Sequence, residues 1–494
     1  MLALLLLNLY PRIGHVEVNT ALVTWVCNHG GGSLVRAVDD HGLRGLVANV
    51  DARVGDVLLE VPLALTISDV DGSDETTPRL PGAAPCWTSQ LPWNVQLALA
   101  VLERRRVDPE DPFIASWPVT PPALPIRCDA DELALASDPS VAQKAGEAFF
   151  WLDEQYWLAR EAAEAAEAAD EDDKLMATFP SANEFRDALE LVWSRCLRLT
   201  TREHGVRRLL VPLLDIANHE SIPSAMYAFG IARNGEPTIR LHAAQPLRAG
   251  EPVTITYGEH TNAHFALYYG FVPQPSPFDE IEVTIYDVLA VTPAELRGQS
   301  PQAGWEAAVE ALAGHEVLNG KAPSEPFALR ATAPDTALYR TLEVLLAGSS
   351  VGGEAAAARA IARVAAAIEE ALWGGGASDR DAEEAGIRAD ERLLESCSRD
   401  KLSELARDTL SERGALLVRL RLSRRRLLAS LRVAMHEAAD ALEDAADGAH
   451  EVASAALAAR LAAASPAVYP QLDALPLDEL QAWESRQGDW SRRS

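Results

Sequence analysis

No two of the five cysteines, Cys27, Cys86, Cys128, Cys196 and Cys397, form a C-x-x-C pair. Neither a zinc cluster nor a disulfide framework is therefore expected, and a reducing compartment is the simplest setting. Positive charge is scarce: 44 Lys and Arg stand against 73 Asp and Glu, a net charge of −29. That balance opposes attraction to nucleic-acid phosphates or anionic lipid; it favours a basic partner, or else does no more than keep the protein soluble. No G-x-G-x-x-G opens a helix, which excludes the dinucleotide fingerprint, and His219 has no His or Cys at ligand spacing, so no metal is expected. Nor does the amino-terminal apolar run suggest a membrane span. Met1 to Leu7 is far shorter than the roughly 20 residues that cross a bilayer, lacks the basic residues that open a signal peptide, and reads as a buried or frayed terminus. The expected setting is intracellular, in the cytoplasm, nucleus or an organelle, with no membrane and no nucleic acid as partner.

With 494 residues, 48% apolar and 24% charged, the chain has room for two or three domains, each with a core of its own. From about Leu22 to Ser68 short strands alternate with glycine turns; the candidates are Ser33–Val38, Gly45–Ala48 and Asp56–Val61. Residues 69–85 read as a loop, and helical spacing then runs from near Pro92 to about Leu199. Within it, Glu161 to Asp170 combines high helix propensity with acidic charge and reads as a solvated face, not a binding element. Strand patterning returns from Leu209 to about Tyr286, including Thr238–Leu241 and Pro252–Tyr257. Beyond about residue 290 the periodic segments are helical and rich in Ala and Leu, with a break at Gly374 to Gly376. The fold class is α+β: a β-rich core split by a helical insertion and followed by an all-α C-terminal domain. The expected boundaries are 20–84 and 201–285 for the two parts of the core, 85–200 for the insertion and 290–494 for the helical domain.

Three short stretches carry chemistry. In His41-Gly42-Leu43-Arg44-Gly45 two glycines flank a turn between strands, which permits close approach of a ligand to the backbone or marks a tight turn only. The apolar run Leu209 to Leu214 ends in Asp215-Ile216-Ala217-Asn218-His219. Polar groups buried at such an end need partners, because an unpaired one costs about 1–3 kcal/mol; a ligand or a satisfied turn would serve. Third come Ile255-Thr256-Tyr257-Gly258 and Tyr268-Tyr269-Gly270-Phe271, whose tyrosines supply aromatic walls and hydroxyls, or simply pack in a core. The arginines Arg419, Arg421, Arg424, Arg425 and Arg426 lie in an apolar helical stretch and are expected to face solvent or the protein's own acidic surface.

Taken in order from the Trp25 region through Gly42-Leu43-Arg44-Gly45-Leu46, Val61-Pro62, Ser194-Arg195, Asn218-His219, Tyr257 and Tyr269-Gly270-Phe271, these pieces resemble the SET-domain protein methyltransferases. The resemblance is to the branch of Rubisco large-subunit lysine methyltransferase and covers roughly residues 20–275. It implies a SET-type core, a helical C-terminal domain that binds substrate, and S-adenosylmethionine as cofactor. It further implies that His41, Gly42, Leu43, Arg195, Asn218 and His219 bind the cofactor, with Arg195 on its carboxylate. Tyr257 would be the catalytic tyrosine, and Tyr227 and Tyr269 would line the target channel. His41 stands where relatives often carry an acidic residue. The activity implied is protein-lysine N-methylation of a protein substrate; the net charge of −29 suits a basic one, and a monomer is expected. Protein-histidine N-methylation and a non-catalytic SET-like binding module are the alternatives.

Overall fold

The computed structural model describes residues 16–18, 20–40, 43–69, 84–118, 121–169, 175–201, 205–274, 276–293, 296, 308–312, 316–347, 349–373, 380–399, 410–445 and 447–463. Met1 to Leu7, His41 and Gly42, most of the loop expected at 69–85, and Gly374 to Gly376 lie outside these residues. The chain divides into two units, one within residues 1–122 and 148–259, the other within 123–147 and 260–468.

Three small sheets build the first unit. The largest has the order β1-β3-β4-β12-β9, formed by Val16–Val18, Val35–Asp40, Leu43–Ala48, Pro252–Ile255 and Asn218–His219. A second has the order β10-β11-β5-β2, formed by Ala225–Ile231, Pro237–Ala243, Val57–Pro62 and Gly32–Ser33. The third has the order β6-β8-β7, formed by Ile67–Ser68, Gly205–Leu210 and Leu197–Thr201. Central strand β5 buries Leu58, Leu59 and Val61, so its one acid needs a partner. Glu60 has two: Arg240 Nε donates to its Oε1 at 2.7 Å and Thr238 Oγ1 at 3.2 Å.

The opening segment from Leu22, expected as strand, is instead helix α1 (Thr20–Asn28). Leu22 and Val26, four residues apart, are both buried, and this one-sided burial overrides the strand preference of Val23, Thr24 and Val26. The expected helical stretch contains α2 (Trp93–Val107), α3 (Pro139–Ala169) and α4 (Ala182–Arg195). A capping box between Ser181 and Glu184 starts α4, which buries Phe185, Ala188, Leu189 and Val192 and ends at Arg195.

In the second unit α5 (Asn262–Tyr269) occupies part of the stretch that patterning reads as strand. Thr261 caps its start, and Gly270 ends it at φ 76°, a left-handed conformation suited to glycine. Helices α6 (Ile285–Val291), α7 (Thr336–Leu345), α8 (Gly353–Trp373), α9 (Arg380–Arg399), α10 (Glu412–Glu443) and α11 (Asp447–Ala463) follow, accompanied by a two-stranded sheet, β13 (Ile281–Val283) with β14 (Phe327–Leu329). Ala355 to Ala358 and Ala365 of α8 share a core with Leu427, Leu428, Leu431 and Met435 of α10. The arginine run of α10 is taken up inside this unit. Arg421 and Arg425 meet Asp390 at 2.6 and 3.1 Å, Arg424 meets Asp138 at 2.5 Å and Arg426 meets Glu391 at 2.7 Å. Among the described residues no helix is long and apolar enough to cross a membrane.

His242 of β11 is 3% exposed, and burial lowers its pKa from 6.5 to about 4. The unfolded chain therefore takes up a proton near pH 6.5 that the native state refuses until about pH 4. Stability is lost as pH falls through that window, at roughly 1.4 kcal/mol per unit. Urea unfolding near pH 7 and about pH 5 should show a loss of about 2 kcal/mol that shrinks in His242→Gln; an equal loss in the variant would remove His242 as its cause.

Candidate functional site

The parallel pairing of β9 with β12 sets Thr254 beside Asn218 and Ile255 beside His219, and so joins two of the polar stretches. β12 also pairs antiparallel with β4, through Pro252 to Val47 and Val253 to Leu46, which brings the Arg44-Gly45 segment alongside. Asn218 Nδ2 donates to Arg44 O at 3.0 Å, across 174 residues of chain. Gly45 is what lets it do so: a Cβ there would lie 2.7 Å from Asn218 Nδ2.

Tyr257 follows β12 and is held at both ends. Its backbone N–H donates to His219 Nδ1 at 3.1 Å, and its hydroxyl donates to Ala217 O at 2.7 Å. The two rings lie 5.4 Å apart. An Nδ1 that accepts a backbone proton cannot carry one, so the geometry selects the neutral imidazole with its proton on Nε2. The Tyr257 hydroxyl proton is thereby directed at a buried carbonyl, so any further hydrogen bond to its oxygen is one that the oxygen accepts.

Before Asn218 the backbone turns sharply at Leu213 (φ 67°, ψ −44°), a conformation strained for a branched residue at a cost on the order of 1–3 kcal/mol. Leu213 is fully buried, and packing over-determines the turn. Two residues on, Asp215 sits under Arg195, whose Nη1 donates to its Oδ2 at 3.0 Å and to its backbone O at 3.1 Å. Burial pushes the Asp215 carboxyl above the usual carboxylate range, while Arg195 and Arg44 oppose the shift. The Arg195 guanidinium lies 5.8 Å from the centre of the Trp117 ring. Trp117 also acts on the Asp215 carboxyl as a side-chain hydrogen-bond donor, while among the described residues buried Arg195 Nε has no hydrogen-bond partner. Arg44 donates from Nη1 to Ser116 O at 2.5 Å, and burial lowers its pKa, reinforced by Arg195.

Of the residues singled out from sequence, Arg195, Asn218, His219 and Tyr257 come together in the first unit. Leu43 enters through the backbone of β4, and His41 and Gly42 are outside the described residues. Tyr227 lies on the second sheet, opposite Leu241, with its hydroxyl on Arg198 O at 3.2 Å. Tyr269 belongs to the second unit, where its ring lies 5.6 Å from Phe265 and 6.3 Å from Phe271. Sequence assigned no role to Asp215, Arg44 or Trp117. Asp215 was visible as the acid that ends an apolar run and Arg44 as part of the glycine turn, but nothing in the sequence tied Trp117 to either. Among the described residues no group of three or more His, Cys, Asp or Glu could hold a metal ion.

The first unit is a set of small sheets with helices between, one of them containing the parallel two-residue pairing, and its likeness to the solved structures that follow shows a SET-type fold. No protein-family model and no curated protein matches the chain. Among solved structures it is similar to the SET domain of LSMT bound to MeLysine and AdoHcy, with a TM-score of 0.53 and 18% identity over 87% of this chain and 93% of that one. It is similar as well to Rubisco LSMT bound to AdoMet, with a TM-score of 0.51 and 17% identity over 94% and 99% of the two chains.

The buried pair is a test of this geometry. Asp215→Ala leaves the Arg195 charge, whose side chain is 14% exposed, without its carboxylate, and should cost about 3–5 kcal/mol in chemical denaturation. A loss under about 1 kcal/mol would mean that the pair is solvated like a surface one.

Proposed function

We propose that this chain is an S-adenosylmethionine-dependent protein-lysine N-methyltransferase. The observation that carries the reading is the joint placement of Tyr257, His219 and Asn218 on the β9–β12 pairing of a SET-type fold, since the structures it is similar to hold AdoMet or AdoHcy and, in one, MeLysine. The residues present fit such a cofactor. Among the described residues Arg195 Nε is a buried donor with no hydrogen-bond partner, and a guanidinium suits a carboxylate. When bound, the cofactor supplies a sulfonium methyl group for in-line transfer.

In this reading Arg195, oriented by Asp215, holds the cofactor carboxylate. Asn218, His219 and the segment His41-Gly42-Leu43 line the remainder of the cofactor site. Tyr227 lines the channel for the target side chain, a role the resemblance gives to Tyr269 as well. A lysine has an ordinary pKa of about 10.4, so the channel must favour its neutral form, which desolvation among tyrosines does. Tyr257 then accepts an N–H of the neutral amine. Its own hydroxyl proton is donated to Ala217 O, so it does not compete for the lone pair of the amine nitrogen. Positioning at about 3 Å supplies most of the rate. The helical second unit recruits the protein substrate, which is basic in character against a chain of net charge −29.

Incubation with radiolabelled S-adenosylmethionine and a cell extract, followed by mass spectrometry of the labelled side chain, tests the assignment. The expected product is methyl-lysine, and methyl-histidine would overturn it. Tyr257→Phe should lower kcat by roughly 10²-fold while cofactor affinity, read by calorimetry, changes less than about twofold. Unchanged turnover would remove Tyr257 from the chemistry.

A further inference from the structure

Helix α3 buries the wrong number of its aromatic residues for a solvated insertion. Leu152, Gln155, Ala159 and Ala163 form its inner face, while Phe150 is 74% exposed, Trp157 53%, Leu158 43% and Phe149 40%. At about 100° per residue, Phe150, Asp153, Glu154, Trp157, Leu158, Glu161 and Glu164 fall within roughly 140° of arc opposite that inner face. The outer face is therefore an apolar ridge set among exposed carboxylates, Asp153, Glu154 and Glu161 among them. Arg160 closes one edge by pairing with Glu164 at 3.1 Å, with its guanidinium 5.8 Å from the centre of the Trp157 ring. Isolated exposed apolar residues are ordinary, but three large ones in register on one helix face, set among carboxylates with Arg160 at one edge, are not.

We propose that the outer face of α3 is a docking surface for a basic amphipathic helix of a partner protein. The charge selects the occupant. Two copies of this face would oppose acid with acid, which disfavours self-association, and the same carboxylates repel anionic lipid. A helix that presents leucines or aromatics flanked by Lys and Arg would cover Phe150, Trp157 and Leu158 and place its cations over Asp153, Glu154 and Glu161. None of these residues is among those assigned to methyl transfer, so this inference does not rest on that reading.

The full-length protein should be titrated by calorimetry with a synthetic amphipathic helix of leucine and lysine and with its leucine and glutamate twin. The basic peptide should bind and the acidic one should not. Phe150→Ser with Trp157→Ser keeps every charge and should weaken binding at least about tenfold, the effect of losing one well-buried aromatic contact. Glu154→Lys with Glu161→Lys should shift the preference to the acidic peptide. All four positions are exposed, so thermal melts of the variants should match that of the parent. Undiminished binding of the basic peptide by the serine variant would show that net charge alone attracts it and would overturn the proposal. So would no binding at all, a dimer that the serine variant dissolves, or serine-sensitive attachment to phosphatidylcholine vesicles.

Discussion

Two pairs of residues, Thr254 with Asn218 and Ile255 with His219, make the parallel contact on which the candidate site depends. Everything polar in the site is referred to it. Asn218 reaches Arg44 O because β9 lies against β12 and β12 lies against β4; His219 receives the Tyr257 N–H because Tyr257 leaves β12 just past the pairing. So short a ladder has little stability of its own, and the surrounding core supplies it. Ala217, Leu213, Leu214 and Ile255 are all buried, and the strain at Leu213 is held by that packing.

The electrostatics follow the same economy of partners. Several buried carboxylates among the described residues are paired or shared: Glu60 with Arg240, Asp215 with Arg195, Asp390 with both Arg421 and Arg425. A chain with 73 acids and only 44 basic side chains cannot pair every carboxylate, and buried Asp279 is instead held by Asn262 and Ser423. Such pairs contribute little net stability but make each position intolerant of losing one member.

Much of this was legible beforehand, for identifiable reasons. Strands β3, β4, β5, β11 and β12 announce themselves by apolar runs between glycine turns, and α8 and α10 by apolar residues at helical spacing. The motif residues Asn218, His219 and Tyr257 stood out because polar and aromatic groups interrupt apolar strands there. Helix α1 was misread because its β-branched residues favour strand locally, and only the burial of Leu22 and Val26 on one side decides otherwise. Helix α5 was hidden by aromatic residues that suit strand as well as helix, its cap at Thr261 and stop at Gly270 being the weaker cues. The pairing of Arg195 with Asp215 and the neighbourhood of Trp117 depend on tertiary approach, and no local pattern encodes it. The outer ridge of α3 escaped notice because Phe150, Trp157 and Leu158 look like core residues in a string of letters.

The hydrogen bond from Asn218 to Arg44 spans 174 residues, and that distance governs the order of events during synthesis. Strands β3 and β4 leave the ribosome as a hairpin whose outer edge has no mate until β12 and β9 emerge. At about 5–20 residues per second the wait is on the order of 10–40 s. Throughout it β4 offers open backbone groups to any passing strand. The helices between β6 and β7 can form locally in the meantime, so the nascent chain holds a folded middle and an unfinished sheet. That open edge of β4 is where the growing chain is exposed to mispairing until the last strand arrives.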